Sequence, residues 1–362
     1  MSSLLLAFVF QWMLMAKADS TVPAQPVRIV NLVVPTAVLE KMTSIPVAPT
    51  KATSQTATNA AATASFGGQV PPSHGSGHFL LGIGSELDGA VKSRLFNEAP
   101  INLLTSWFNS PNDLTFMRGF QNKEVPAAYA SGRSLHLVVW TGSAESEVTT
   151  KYGKACGRTY PFSASFADDM KQLANIYRGS GTLYVSMFTE FQTYPCQDNN
   201  WLGNENYYLA LQDQYRLAQQ IFKAEAPNAR LALSWGGWQA SYDDPARGGG
   251  RSLFSHFADV MNNSDFQSFQ AMDSTSNIQP IKDMTRQLHG YGNGAVLLAH
   301  YKPDNRSQVT WTNDITGLFG PDVMAGLQQN GLFGLSFMDE ANMNATESAF
   351  QLAKQFVTAF AR

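Results

Sequence analysis

From residue 78 onward the sequence predicts an α/β fold, a (β/α)8 TIM barrel, and three observations carry that prediction. Eight short apolar runs recur between Phe79 and Met338, and stretches with helical spacing follow them. The runs are continuously apolar rather than alternating, which is what parallel strands covered on both faces require. Residues 78–362 also suit the typical ~250-residue size of such a barrel. A doubly wound open sheet is the competing fold. It would want a Gly-x-Gly-x-x-Gly turn after its first strand or a P-loop, and the sequence has neither. Gly248-Gly249-Gly250 follows Asp243-Asp244-Pro245 rather than a strand, so it reads as a plain loop.

The elements follow in order. The first apolar run, Phe79–Ile83, ends in Gly84-Ser85-Glu86-Leu87-Asp88. Ile101–Trp107 is the second run. A mixed region, Pro111–Tyr129, leads to the third, Leu135–Trp140. A polar loop holding Cys156 precedes a helix over Phe166–Tyr177, where Phe166, Met170, Leu173, Ala174 and Tyr177 share one face. Leu183–Phe188 is the fourth run. Tyr207–Ala224 reads as a long helix with Leu211, Tyr215, Ala218 and Phe222 on one side. Arg230–Trp235 is the fifth run and Phe254–Met261 a helix. The sixth run is Phe266–Met272, followed by a helix over Ile278–Leu288. Ala295–Tyr301 is the seventh run, Asp314–Gln329 a single helix, Leu332–Met338 the eighth run, and Glu347–Phe360 the closing helix.

Ahead of the barrel, residues 1–18 read as a signal peptide. The apolar run Leu4–Met15 is too short to span a bilayer comfortably, and Ala16-Lys17-Ala18 suits cleavage before Asp19. No basic residue precedes the run, so an uncleaved anchor is the alternative. Residues 19–77 are Thr-, Ala-, Ser- and Pro-rich, with a stretch over 50–65 almost free of large apolar groups, and read as a disordered stalk. Val27–Val34 could form one short strand there. The expected location is secreted or extracellular, with periplasm and cell surface as related compartments. Cys156 and Cys196 are too far apart for a compact metal clip, and a disulfide between them suits an oxidising space. A net charge of −3 gives no case for nucleic acid or an anionic membrane surface. No membrane contact beyond the signal segment, no metal and no cofactor are expected, and the chain is expected to be a monomer.

If the fold is a barrel, its chemistry lies just after the eight runs. Those positions hold Glu86 and Asp88, Trp107 and Asn109, Trp140, Glu190 and Gln192, Trp235, Trp238 and Gln239, Gln270 and Asp273, His300, Tyr301, Lys302 and Asp304, and Asp339 and Glu340. Indole faces beside carboxylates and amides suit a polysaccharide or oligosaccharide, whose C–H faces stack while its hydroxyls take hydrogen bonds. Glu190 ends the fourth run among Phe188, Phe191 and Tyr194. A carboxylate in such surroundings is costly unless it is paired or used. Desolvation there would keep it protonated, as a general acid requires.

The order of strand, Glu190, aromatic loop, long helix, Pro227-Asn228-Ala229-Arg230 and then Leu231–Trp238 resembles the fourth-to-fifth strand region of the cellulase- and mannanase-type clan of (β/α)8 glycoside hydrolases. That resemblance implies a glycosidase with Glu190 as acid/base, and the N-terminal segment implies that it is secreted. Two departures stand out. Thr189 occupies the position where the clan usually has Asn. The seventh run ends Ala299-His300-Tyr301-Lys302-Pro303-Asp304, with no Glu where the clan keeps its nucleophile. A second carboxylate is still needed in most families, and Asp339, Asp273, Asp304 and Glu86 are the candidates. Asp88, His300 and Lys302 are expected to hold substrate hydroxyls or tune Glu190. The alternatives are a non-catalytic carbohydrate-binding barrel and a carbohydrate-active enzyme of another type, a lyase or a deacetylase.

Overall fold

The computed structural model describes residues 78–361 apart from 143, 193–200, 244–251 and 321. The signal peptide, the stalk, the strand expected over Val27–Val34, and Tyr194 and Cys196 lie outside the described residues. Eight parallel strands close into a barrel: β1 (Leu80–Ile83), β2 (Leu103–Phe108), β3 (Ser134–Trp140), β6 (Leu183–Thr189), β7 (Ala229–Trp235), β8 (Gln267–Ala271), β9 (Val296–Tyr301) and β10 (Leu332–Phe337). Two further strands, β4 (Glu145–Thr150) and β5 (Gly153–Arg158), form an antiparallel hairpin after β3. The barrel closes where β1 pairs with both β2 and β10. All eight apolar runs are barrel strands, because each buries both faces.

The helices are α1 (Leu87–Ala90), α2 (Arg94–Glu98), α3 (Leu114–Phe120), α4 (Glu124–Ala130), α5 (Phe166–Tyr177), α6 (Glu205–Glu225), α7 (Phe254–Asn262), α8 (Ile278–His289), α9 (Gln308–Leu318), α10 (Val323–Gln329) and α11 (Glu347–Phe360). Two expectations are corrected. The single helix expected over Asp314–Gln329 is two, α9 and α10. Gly320 turns the chain between them, its N–H bonded to Gly317 O, and Pro321 follows in sequence. The polar loop around Cys156 is the β4–β5 hairpin. Its outer face carries Glu145, Glu147 and Lys154, so no apolar period marked it.

Side chains pointing into the barrel stack in three layers, as this fold typically does. The lowest is apolar, formed by Leu103, Tyr184, Phe266, Leu297 and Phe333 with two alanines. The middle layer is polar and hydrogen-bonded across the barrel. Ser268 Oγ reaches Ser186 Oγ at 2.8 Å, and Ser186 meets His136 Nε2 at 2.9 Å. His136 Nδ1 lies 3.2 Å from Thr105 Oγ1, which meets Ser336 Oγ at 2.6 Å. The uppermost layer holds Trp107, Gln270 and His300. Outward residues such as Val185, Leu233 and Leu298 form the larger core against the helices. No described helix is long and apolar enough to cross a membrane.

Candidate active site

Glu190 stands one residue beyond β6, at the C-terminal mouth. The strand ends in two left-handed residues, Phe188 and Glu190, both at φ 60°. That conformation is uncommon outside glycine and costs about 1–3 kcal/mol per residue. A register shift in the pairing with β3 accompanies it, bringing Trp140 opposite Thr189. The twist has two results. Phe188 turns outward onto Phe166 of α5, with ring centroids 5.9 Å apart. Glu190 in turn meets Gln270 from the end of β8: Gln270 Nε2 donates to Glu190 Oε1. The Glu190 N–H is tied to Ser234 O at 3.3 Å.

Glu190 lines a pocket of about 460 Å3 together with Trp238, Asp273, Asn277 and Asp304. Trp238 approaches so closely that a Cβ on Gly236 would lie 2.5 Å from its indole and 2.8 Å from Gln192 Nε2. Gly236 is thus the residue that lets the indole and the Gln192 amide crowd this edge. Gln192 is buried and donates through Nε2 to Gly236 O at 3.3 Å. Asp273 Oδ1 accepts from Thr275 N at 2.7 Å, Thr275 Oγ1 at 2.6 Å and Ser276 N at 3.1 Å. Those donors, the Thr275 hydroxyl foremost, hold its pKa below the usual carboxylate range. Asp304 is exposed, and its carboxylate makes no hydrogen bond among the described residues.

Deeper in the mouth, the His300 ring lies 4.6 Å from Trp107, tilted by 54°. His300 is fully buried, and burial, with smaller contributions from His136 and Lys302, pushes its pKa down to about 3. It is neutral at physiological pH. Neither of its ring nitrogens has a hydrogen-bond partner among the described residues, and the same holds for Trp107 Nε1, Gln192 Oε1, Gln239 and Gln270 Oε1. Buried polar atoms are normally satisfied, so a concentration of unsatisfied ones at the strand ends marks a surface suited to a polar ligand. Gln239 is one of the strand-end positions that the sequence picks out, and its amide is buried. It follows Trp238 at the end of the fifth run, where its side chain type was the only available signal.

Several expected residues lie away from that pocket. Lys302 and Asp339 form an ion pair at 2.7 Å, with the ammonium almost buried. Asp339 and Glu86 line a smaller pocket of about 210 Å3 between β1 and β10, and burial followed by Asp88 and Asp113 raises the pKa of Glu86. Asp88 bonds Lys92 one turn along at 3.0 Å, on the outer surface. Trp140 ends β3 half-buried, with the Arg158 guanidinium 5.8 Å from its ring. Trp235 is a correction: it is fully buried and packs on Phe191 and Phe254, both at 4.7 Å, outside the barrel. As an outward-facing strand residue it belongs to the core, not to a substrate surface. Trp201 likewise stacks on His256, centroids 4.0 Å apart, against α7. No three His, Cys, Asp or Glu side chains converge as metal ligands among the described residues.

No protein-family model matches the chain, and no curated protein is significantly similar to it. Solved structures do resemble it. An engineered protein matches 78% of this chain and 70% of its own length at 12% identity, with a TM-score of 0.53. A GH53 catalytic domain from Ignisphaera aggregans matches 75% of this chain and 87% of its own at 15% identity, with a TM-score of 0.47. A β-1,4-mannanase from the sea hare Aplysia kurodai matches 78% of this chain and 92% of its own at 12% identity, with a TM-score of 0.41. The likeness is one of fold, and glycoside hydrolases are among the solved structures that share it.

Proposed function

We propose that the chain is a secreted glycoside hydrolase that cleaves a polysaccharide or oligosaccharide, with Glu190 as general acid. The observation that carries this reading is the setting of Glu190. It is a carboxyl at a barrel strand end, clasped by the Gln270 amide and sharing one pocket with Trp238, Asp273 and Asp304. Two carboxyl groups flanking a glycosidic bond are what most such hydrolyses require. Glu190 protonates the departing oxygen, and a second carboxylate serves the opposite side of the sugar ring. Asp273, Asp304 and Asp339 are the partners this reading allows. Asp304 is favoured over the others because Asp273 Oδ1 serves its turn and Asp339 is paired with Lys302. The test is incubation of purified protein with a panel of polysaccharides, scored for new reducing ends. Release from at least one of them is expected, and none from any would favour a binding barrel instead.

Two predictions concern the rest of the chain. A disulfide between Cys156 and Cys196 would tie the β4–β5 hairpin to the segment that follows Glu190. Cys156 lies on β5, and no free cysteine occurs among the described residues. Mass spectrometry of non-reduced peptides should find the two cysteines linked; two alkylatable thiols would refute it. Deleting residues 19–70 should leave the thermal transition and the turnover of the barrel unchanged, because that segment lacks core-forming residues. A truncated protein without a cooperative transition would show that the segment belongs to the fold.

A further inference from the structure

Resting on the hydrolase reading of the Glu190 pocket, we infer that Asp314 of α9 is the positioning residue for the pocket's aspartate-bearing wall. That wall is the loop 273–277 together with the Asp304 segment, and Asp314 itself does not line the pocket. Asp314 is 1% exposed and pairs with no cation among the described residues. Its oxygens accept from the turn after β8 and the end of β9. Oδ1 takes the Asn277 N–H at 3.0 Å, with Ser276 Oγ at 3.5 Å. Oδ2 takes Asn277 Nδ2 at 2.8 Å and the Tyr301 hydroxyl at 3.0 Å. Burying a carboxyl group is costly, and an apolar side chain would pack the same space without that cost. What the carboxyl adds is a fixed set of acceptors.

Asn277 carries the effect to the pocket. Because Asp314 accepts from Asn277 Nδ2, the amide oxygen faces the other way, where Oδ1 accepts the Asp273 N–H at 2.7 Å. Nδ2 also reaches Asp273 O at 3.0 Å. Asp273, Ser274 and Asn277 line the pocket beside Glu190. The same loop is tied to the segment after β9. Asn305 Nδ2 and Thr310 Oγ1 both donate to Ser274 O, at 2.8 Å and 3.0 Å, and Asp304 N donates to Met272 O at 3.2 Å. Asp273 and Asp304 therefore stand on one hydrogen-bonded wall with Asp314 as its buried anchor. A shift of about 1 Å in that wall would displace Asp304, the second carboxylate favoured above, and misplacement on that scale can cost about 100-fold in rate.

Asp314→Asn keeps the volume, but whichever way the new amide turns, its NH2 faces a donor of Asn277. Hydrogen exchange read by mass spectrometry tests the anchor without any substrate. The amides of Asp273, Thr275, Ser276 and Asn277 are all hydrogen-bonded in the wild type. Their exchange is expected to quicken at least about tenfold in Asp314→Asn and about threefold in Tyr301→Phe, with peptides of β6 and α5 unchanged. Tyr301→Phe removes one hydroxyl and leaves the carboxyl group, so it decides the matter if Asp314→Asn does not fold. On the polysaccharide that the panel shows to be cleaved, kcat per folded molecule is expected to fall at least about tenfold in Asp314→Asn while KM moves less than about threefold. Unchanged exchange over 273–277, or equal acceleration throughout the barrel, would overturn the inference. A loosened loop with normal kcat would also overturn it and leave the glycosidase reading intact. A loosened loop in a protein that cleaves nothing on the panel would overturn the hydrolase reading and leave Asp314 as the anchor of a binding pocket's wall.

Discussion

Replacing Glu190 by Gln is expected to lower turnover by at least about 100-fold while the protein keeps its fold. Loss of a positioned acid removes a contribution of about 10²–10⁴-fold. The amide preserves the size of the side chain, and its oxygen can still accept from Gln270 Nε2, so the clasp that holds it survives. The left-handed backbone at this position is unchanged by the substitution. If Glu190 were only a structural carboxylate, the outcome would invert. The melting temperature would fall and turnover per folded molecule would stay near normal. Both quantities measured on one preparation separate the two cases.

The second large effect concerns stability. His136 fills the middle of the barrel, fully buried, with Thr105 and Ser186 hydroxyls on its two ring nitrogens. Burial pushes its pKa down to about 3, so it is held neutral. His136→Ala would open a cavity and remove one partner from each of two buried hydroxyls, Thr105 and Ser186, which keep only Ser336 and Ser268, at a cost of about 3–5 kcal/mol. The pH dependence has a definite sign. Folded His136 and His300 both titrate far below the roughly 6.5 of an unfolded histidine, so the unfolded chain binds more protons between those values. Stability is therefore complete above pH ~6.5 and falls as the medium is acidified, by about 1.4 kcal/mol per pH unit for each histidine. Denaturant melts across pH 7 to 4 should show that decline, and it should be shallower in His136→Gln. A flat profile would mean that these rings are not held neutral.

The barrel was legible because its strands obey a simple rule. A parallel strand with both faces covered is apolar throughout, so Leu183–Phe188 and Ala295–Tyr301 stand out without any periodicity, and helices such as α5 and α11 show a clean apolar face. The hairpin was not legible, since most of its residues face solvent, Val148 and Ala155 are only partly covered, and the buried residues that end it, Gly157 and Arg158, are not apolar side chains. The helix break at Gly320 was written in the sequence but was outweighed by the apolar spacing on either side of it.

Within the site, strand ends named the neighbourhood but not the facing. Trp107 and Trp235 both end apolar runs. One points into the barrel beside His300 and the other outward onto α7. The small and polar residues Thr105, Ser186, Ser268 and Ser336 mark the inward face, and counting by twos from them separates the two tryptophans in hindsight: Trp107 shares the face of Thr105, whereas Trp235 follows Ser234 on the opposite one. The pairings Gln270 with Glu190 and Lys302 with Asp339 join residues 80 and 37 positions apart, and only closure of the barrel brings them together.

Protonation of the leaving group by Glu190 is tested most directly by varying how much the leaving group needs it. Once the panel identifies the sugar, wild-type protein and Glu190→Gln can be compared on aryl glycosides whose phenols span a wide range of basicity. The rate of the glycosidic cleavage step should differ by about 100-fold or more for the most basic phenols. It should converge towards parity for the most acidic, which depart without a proton. A ratio that stays constant across the series would contradict the role of Glu190 as general acid.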